Sequence, residues 1–178
     1  MTRALPRLGR LATALVALAA ATGIVATAAP AHADTGNSCD KYRFLGSKWY
    51  ITVNGNTVVQ AQYSPAPDQV NAFTWCKAYV GSVSDGNLYW LTNQGAGSDK
   101  CMSSNGVAGA PLLMLPCTPS NLEQFWRVTH GSYNGADVWS FRSYIHPGTA
   151  GQAASNAYGA AVVSEPVSNN LNQWMEIM

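Results

Sequence analysis

After residue 34, hydrophobic and polar positions alternate over short stretches, and helical periodicity is almost absent. Gly, Asn and Pro residues separate these stretches, as expected of strands joined by tight turns. The predicted strands are 48–53, 57–62, 87–92, 111–115, 125–128, 138–144 and 160–164. Many short strands with turn residues between them predict an all-β fold, either a sandwich or a barrel.

A weak internal repeat narrows this choice. A glycine followed by a short aliphatic strand occurs at 55–59, 109–113 and 159–163, and a tryptophan follows each: Trp75, Trp126 and Trp174. Such recurrence predicts one supersecondary unit used three times, each too small to bury its own hydrophobic face. We therefore predict a threefold arrangement of four-stranded units around a shared core, with the three tryptophans buried in equivalent positions.

The first 33 residues have the organisation of a secretory signal peptide. Arg3, Arg7 and Arg10 precede an apolar run at 11–21, and the small-residue motif 31–33 lies directly before Asp34. A membrane anchor is the alternative, but the run is short and rich in alanine, whereas a spanning helix needs about 20 apolar residues. The sequence predicts a signal peptide at 1–33, a flexible lead at 34–39 and one domain at 40–178, with repeats at about 40–80, 81–130 and 131–178.

Charge and composition exclude some partners. Cleavage after Ala33 would remove three of the ten basic residues and none of the nine acidic residues, so the charge becomes 7 − 9 = −2. A strong electrostatic affinity for nucleic acid or anionic membranes is therefore not expected. Only 11% of the residues are charged, which is typical of a β-rich exported protein.

Four cysteines, an even number, lie in the exported part of the chain and predict two disulfides, with three possible pairings. A zinc site would need closely spaced pairs, and the sequence has none. The segment between Cys101 and Cys117 contains an Asn-Gly pair and a proline, so its ends can close as a hairpin. We therefore expect Cys101–Cys117, which leaves Cys39–Cys76 by elimination.

The central repeat resembles a known family. Cys101-Met102-Ser103, then Cys117, then Glu123-Gln124-Phe125-Trp126 is similar to the Cys-Leu-Asp, Cys, Gln-x-Trp repeat of ricin-type β-trefoil lectins. The resemblance implies a β-trefoil fold, a family disulfide at Cys101–Cys117, and core-building roles for Gln124, Trp126, Gln173 and Trp174. In the last repeat Gln173 directly precedes Trp174, so we expect Asn172 to be the equivalent of Gln124.

The family's sugar site comprises an Asp after the first Cys, an aromatic residue near the second, and an Asn before the Gln. The central repeat has Ser103 or Ser104, Leu115 and Glu123 there, and the first repeat has Ala61 at the aromatic position with Tyr63 nearby. The third repeat has Ser155 or Asn156 and Glu165, but also candidate ligand-binding residues: Tyr158, Asn169, Asn170 and Asn172. We expect any sugar site to lie there.

Candidate chemistry for catalysis is sparse. His130 and His146 belong to no triad by spacing, and the carboxylates are scattered. We therefore expect a secreted, non-enzymatic binding module without metal or cofactor, with a glycan as the ligand implied by the resemblance. One alternative is a trefoil without sugar binding that acts as the protein-interaction subunit of a secreted toxin or cell-surface assembly. Another is a protease inhibitor, for which only the proline-containing segment 64–68 offers a loop.

Overall fold

The computed structural model describes residues 37–64, 66 and 69–178, so the predicted signal peptide and residues 34–36 lie outside the described part. Within it, the chain forms thirteen strands and three short 3-10 helices. The strands are β1 (Ser38–Asp40), β2 (Tyr42–Phe44), β3 (Tyr50–Asn54), β4 (Thr57–Ala61), β5 (Trp75–Val83), β6 (Gly86–Asn93), β7 (Gly97–Ser103), β8 (Leu113–Pro116), β9 (Trp126–Tyr133), β10 (Ala136–Ser143), β11 (Thr149–Ala153), β12 (Val162–Pro166) and β13 (Met175–Ile177). The helices are Val70–Phe73, Leu122–Gln124 and Leu171–Gln173.

Tight turns join neighbouring strands. The turn between β9 and β10 is formed by Asn134 and Gly135, whose φ angles of 51° and 81° are those of a hairpin turn that favours Asn-Gly. Gly55, between β3 and β4, likewise has a φ of 61°. The short strands and turns of the sequence pattern are therefore present, and the expected all-β fold is confirmed.

Three repeats surround a common centre. Strands β4, β8 and β12 approach each other there, with the Val58 amide donating to the Leu112 carbonyl at 3.0 Å and the Leu112 amide to the Val162 carbonyl at 2.8 Å. All three side chains are buried in the main hydrophobic core. These strands are the ones that follow the recurrent glycines, so the glycine-strand pattern does mark a threefold unit. The architecture is a β-trefoil.

The first repeat takes one strand from the far end of the chain. The pairs β5–β6 and β9–β10 are hairpins, and the corresponding pair in the first repeat is β13 with β2, which are joined only through the rest of the molecule. The second and third repeats begin at Trp75 and Trp126, and Met175 begins the strand that closes the first. Trp75 and Trp126 thus open the following repeat, a few residues before the approximate limits of 80 and 130 predicted from the sequence.

This register changes the equivalence of the tryptophans. Trp75 lies opposite Asn93, Trp126 opposite Ser143 and Met175 opposite Phe44, so the third member of the set is Met175. The Trp75 indole donates to the Ile51 carbonyl at 3.0 Å, and the Trp126 indole donates to the Met102 carbonyl at 2.8 Å. All three tryptophans are buried. The expectation that Trp174 is equivalent to the other two was nevertheless wrong by one residue.

Trp174 instead belongs to a smaller cluster with Leu45 and Val138, and its buried indole nitrogen has no partner among the described residues. Its position in the repeat corresponds to that of Phe125, which follows Gln124 as Trp174 follows Gln173.

The hydrogen bonds of Gln124 and Gln173 show the same shift of one residue in the last repeat. The Gln124 amide donates to the Pro116 carbonyl at 2.9 Å, and the Gln173 amide donates to the Pro166 carbonyl at 2.7 Å. Each side-chain oxygen also accepts from the backbone amide two residues after its proline. Both glutamines are buried and hold the end of a repeat in the same way. Gln173, not Asn172, is thus the equivalent of Gln124.

Both predicted disulfides are confirmed. Cys101–Cys117 joins β7 to the segment after β8, and Cys39–Cys76 links directly opposite residues of β1 and β5. The flexible lead expected at 34–39 is wrong for Ser38 and Cys39, which belong to a strand paired with β5, while residues 34–36 lie outside the described part of the chain. Cross-strand hydrogen bonds and the disulfide together order this end of the domain.

Candidate functional site

The strand register locates the three positions that the family uses for sugar. Cross-strand pairs Thr52–Val59, Ser103–Leu113 and Gln152–Val163 align the repeats. On this alignment the position of the Asp acceptor is occupied by Thr52, Ser103 and Gln152 in the three repeats. The position of the aromatic ring is occupied by Ala61, Leu115 and Glu165. The position of the Asn amide is occupied by Ala72, Glu123 and Asn172. None of the three sets combines a carboxylate acceptor with an aromatic ring. The assignment of Ser155 or Asn156 to the acceptor position was wrong, since both lie in the loop beyond β11.

Two of the three side chains at the acceptor positions are hydrogen-bonded within the protein. The Thr52 hydroxyl donates to the Ala72 carbonyl at 2.7 Å, so the acceptor and amide positions of the first repeat are joined to each other. The Gln152 side-chain oxygen accepts from the Gln173 amide at 2.9 Å. In the third repeat the residue at this position therefore supports the fold.

A groove of about 380 Å³ nevertheless lies over the first-repeat positions. It is lined by Thr52, Val53, Asn54, Val59, Ala61, Gln69, Ala72, Phe73, Tyr158 and Gly159, and we call it the Tyr158 groove. Its volume is at the lower end of the range of about 300–1,000 Å³ that small-molecule pockets occupy. Valine, alanine and phenylalanine side chains provide an apolar part, while the exposed Asn54 and Gln69 provide amides. None of these lining residues carries a formal charge at neutral pH.

Tyr158 brings an aromatic ring to this groove from another repeat. Its side chain is 70% exposed, the largest exposure among the large hydrophobic residues of the described chain. It lies edge-to-face against Trp49, with ring centroids 5.8 Å apart and an interplanar angle of 79°. Such a contact contributes about 1 kcal/mol and restrains the ring while leaving much of its surface accessible. The third repeat thus supplies the ring that the first repeat lacks.

The loop that carries Tyr158, residues 154–159, is attached to the first repeat through three consecutive carbonyls. The Gln60 side-chain amide donates to the carbonyls of Ser155 and Ala157, both at 2.6 Å. The Trp49 indole donates to the carbonyl of Asn156 at 3.0 Å. We call this segment the Tyr158 loop. Its position is set by side chains about 100 residues earlier in the sequence.

The predicted asparagines have roles within the third repeat. Asn170 caps the helix Leu171–Gln173, its side-chain oxygen accepting from the Asn172 amide at 2.9 Å. The Asn172 side-chain amide donates to the Asn156 side chain at 2.7 Å. Asn169 is exposed. None of the three lines the Tyr158 groove, although Asn172 contacts the Tyr158 loop at Asn156, and sugar binding by the asparagines stays a prediction.

Sequence reasoning missed two residues of this site. Trp49 directly precedes Tyr50, and because adjacent side chains on an extended segment point to opposite faces, the sequence does not show which of the two rings faces outward. Gln60 has the sequence environment of an ordinary polar residue near the end of a strand. No neighbouring residue indicates that its side chain bonds to carbonyls near residue 156. The proline-containing segment 64–68 lies beside Gln69, but Pro65, Pro67 and Asp68 are outside the described residues, so the inhibitor loop stays a prediction.

Two further searches concern the described part of the chain alone. No cluster of three or more His, Cys, Asp or Glu side chains has a geometry suited to a metal ion. No helix of residues 37–64, 66 and 69–178 has the length and hydropathy needed to cross a membrane.

Comparisons with known proteins identify the fold. No family model matches the sequence, and no curated protein matches it. Among solved structures, a designed threefold-symmetric protein, ThreeFoil, is 19% identical with a TM-score of 0.62, over 79% of this chain and 97% of its own. The earthworm R-type lectin C-half, solved in complex with GalNAc, is 11% identical with a TM-score of 0.56, over 78% and 96%. The Haemophilus ducreyi cytolethal distending toxin is 14% identical with a TM-score of 0.58, over 84% and 86%. These likenesses support the β-trefoil fold, which lectins and a toxin share.

Proposed function

We propose that this protein is an exported, non-enzymatic carbohydrate-binding module and that the Tyr158 groove is its binding site. The observation that carries the proposal is the exposed Tyr158 ring, held against Trp49 at the edge of an uncharged groove. Aromatic faces pack against the apolar face of a sugar ring, and neighbouring amides bond its hydroxyls. Asn54 and Gln69 supply those amides, while Val59 and Phe73 supply an apolar floor.

The expected affinity is low. Stacking on one ring contributes about 1 kcal/mol, and each neutral hydrogen bond contributes about 1 kcal/mol net. One ring and three hydrogen bonds give about 4 kcal/mol, which corresponds to a Kd of about 1 mM. Because the lining residues carry no charge, binding should change little with ionic strength.

The fold neighbours support this choice without deciding it. The earthworm lectin was solved with GalNAc, and a lectin of Polyporus squamosus was solved with a sialylated trisaccharide. Fold alone does not determine function, so the proposal depends on the groove of this chain. Export is inferred from the signal-like residues 1–33, and an exported product beginning at Asp34 is the expected result of N-terminal sequencing.

The test is a glycan array followed by titration calorimetry of the best glycan. We expect Tyr158→Ala to weaken binding about fivefold, because stacking on the ring provides about 1 kcal/mol of the binding free energy. Tyr79→Ala, at another exposed tyrosine outside the groove, is the matched control and should bind as the wild type does. Equal binding by the wild type and Tyr158→Ala would reject the groove as the site.

A second candidate function, docking of a partner protein, is favoured by a chain of rings between the second and third repeats. Phe125 lies between Trp90 and Tyr144, with centroid distances of 6.3 and 6.4 Å, and all three are part-exposed. The equivalent of Phe125 at the next boundary is the buried Trp174. Leu122 and Ile145, which lie near Phe125 and Tyr144 in the sequence, are 41% and 42% exposed. If no glycan binds and a partner is captured by the wild type but not by Phe125→Ser, this second function replaces the first.

A further inference from the structure

Gln60 is a fully buried polar residue whose side chain lies between two repeats. It is on β4, and none of its surface is exposed. Its amide nitrogen donates to the carbonyls of Ser155 and Ala157 at 2.6 Å each, and its side-chain oxygen accepts from the Ser47 hydroxyl at 2.7 Å. Both amide protons and the oxygen are therefore engaged, so the orientation of the amide is fixed.

The backbone of the same residue also contacts the Tyr158 loop. The Gln60 amide donates to the Ala160 carbonyl at 3.0 Å, and the Gln60 carbonyl accepts from the Gly159 amide at 2.9 Å. The side chain of Gln60 thus holds the loop at residues 155 and 157, and its backbone holds the loop where it ends, at residues 159 and 160. Residues 154–159 are all exposed. Without buried apolar side chains, the loop depends on polar contacts for its conformation.

The threefold symmetry shows that this role is specific to the first repeat. By strand register, the residues equivalent to Gln60 are Met114 and Ser164. Met114 is buried in the main core, so this position is compatible with an apolar side chain of similar length. An amide here is not required by the fold, and a buried polar group stabilises a structure only where its partners are fully matched.

We propose that Gln60 is a positioning residue for ligand binding: it fixes the Tyr158 loop so that the Tyr158 ring is already in place before a ligand arrives. This inference rests on the proposed function of the Tyr158 groove. A preorganised ring improves affinity because the cost of ordering the loop is not incurred during binding. Gln60 lies beneath the loop, is not among the residues that line the groove, and acts through Tyr158.

Gln60→Met is the decisive variant, because the methionine at position 114 shows what the core accepts. It keeps the side-chain length and removes both donors to the loop. We expect the amides of Ala157, Gly159 and Ala160 to exchange with solvent about thirtyfold faster, since the two hydrogen bonds to the loop contribute about 1 kcal/mol each and each tenfold change corresponds to about 1.4 kcal/mol. Affinity for the best glycan should fall by about the same factor, while exchange in the distant hairpin of β9 and β10 should be unchanged.

A double-mutant cycle with Tyr158→Phe separates positioning from a general loss of stability. Phenylalanine retains the ring, so the loss from Gln60→Met should persist in that background. With Tyr158→Leu, which keeps an apolar side chain but no ring, Gln60→Met should cause little further loss. Equal losses in both backgrounds, or unchanged loop exchange in Gln60→Met, would overturn the proposal.

Two other outcomes remain decisive. If Gln60→Met fails to fold, Ser47→Ala removes the bond to the Gln60 oxygen together with the 3.3 Å acceptor of the Trp49 backbone amide, and faster loop exchange is expected there too. If the wild type binds no glycan, the proposed function fails. Loop exchange in Gln60→Met then still decides whether Gln60 holds the loop, because that measurement needs no ligand.

Discussion

The buried tryptophans offer a sharp test of the register, because two of them differ in one hydrogen bond. We expect Trp126→Phe to destabilise the domain substantially more than Trp174→Phe. Both tryptophans are 1% exposed, so the loss of ring volume is similar in the two variants. Only Trp126 donates its indole proton, at 2.8 Å to the carbonyl of the buried Met102. The Trp174 nitrogen has no partner within the described chain.

The difference between the variants therefore measures the bond. In Trp126→Phe the buried Met102 carbonyl loses its donor, which lowers the free energy of unfolding by about 1–3 kcal/mol. In Trp174→Phe no hydrogen bond is lost, so this contribution is absent. We expect Trp126→Phe to be less stable than Trp174→Phe by about 2 kcal/mol, which corresponds to a difference in Tm of about 5 °C for a domain of this size.

Urea denaturation followed by far-ultraviolet circular dichroism is the suitable assay, because it does not depend on the fluorescence of the residues being replaced. The m-value should be the same in both variants, so the midpoints can be compared directly. Equal destabilisation by the two variants would contradict the assignment of Trp174 to a position different from that of Trp126.

Three further predictions concern stability. Gly131→Ala should lower the free energy of unfolding by about 1–3 kcal/mol through overpacking, because an added Cβ would lie 2.7 Å from the Trp174 ring. The control is Gly148→Ala, which has no heavy atom within 4 Å of the added Cβ and should be near neutral in the same denaturation series. Deleting 175–178 should leave a chain without cooperative unfolding in calorimetry, because the closing strand of the first repeat is lost, and a cooperative transition in this variant would refute the strand exchange. Limiting reductant should open the Cys39–Cys76 bridge, in which Cys39 is exposed, before Cys101–Cys117, in which Cys101 is buried; the opposite order in peptide mapping after alkylation would contradict this.

The three repeats show most clearly which features of this structure follow from the sequence. Turn residues and strand-length hydrophobic runs are local signals, so the all-β fold and the three glycine-led strands were predictable from residues close together in the chain. The disulfides were predictable for a related reason, since the 16-residue separation of Cys101 and Cys117 favours a hairpin closure. Two candidate pairings were thereby excluded.

Register between distant strands was not predictable. Strand β13 pairs with β2, more than 130 residues away, and this pairing makes Met175 the equivalent of Trp126. In the last repeat Gln173, Trp174 and Met175 are consecutive, and the sequence pattern is compatible with either Trp174 or Met175 at the core position. A shift of one residue turns a side chain to the other face of a strand, and only the packing of the complete barrel selects between the two.

The candidate site depended on tertiary structure even more. The sequence singled out Tyr158 as an aromatic residue in a polar loop, but placed it with asparagines of its own repeat. Asn172 does contact this loop at Asn156, but Trp49 and Gln60 of the first repeat donate to three of its carbonyls. Backbone carbonyls carry no sequence signature, because every residue has one. The sequence therefore determined which residues could bind a ligand, and the tertiary structure decided which of them face the same groove.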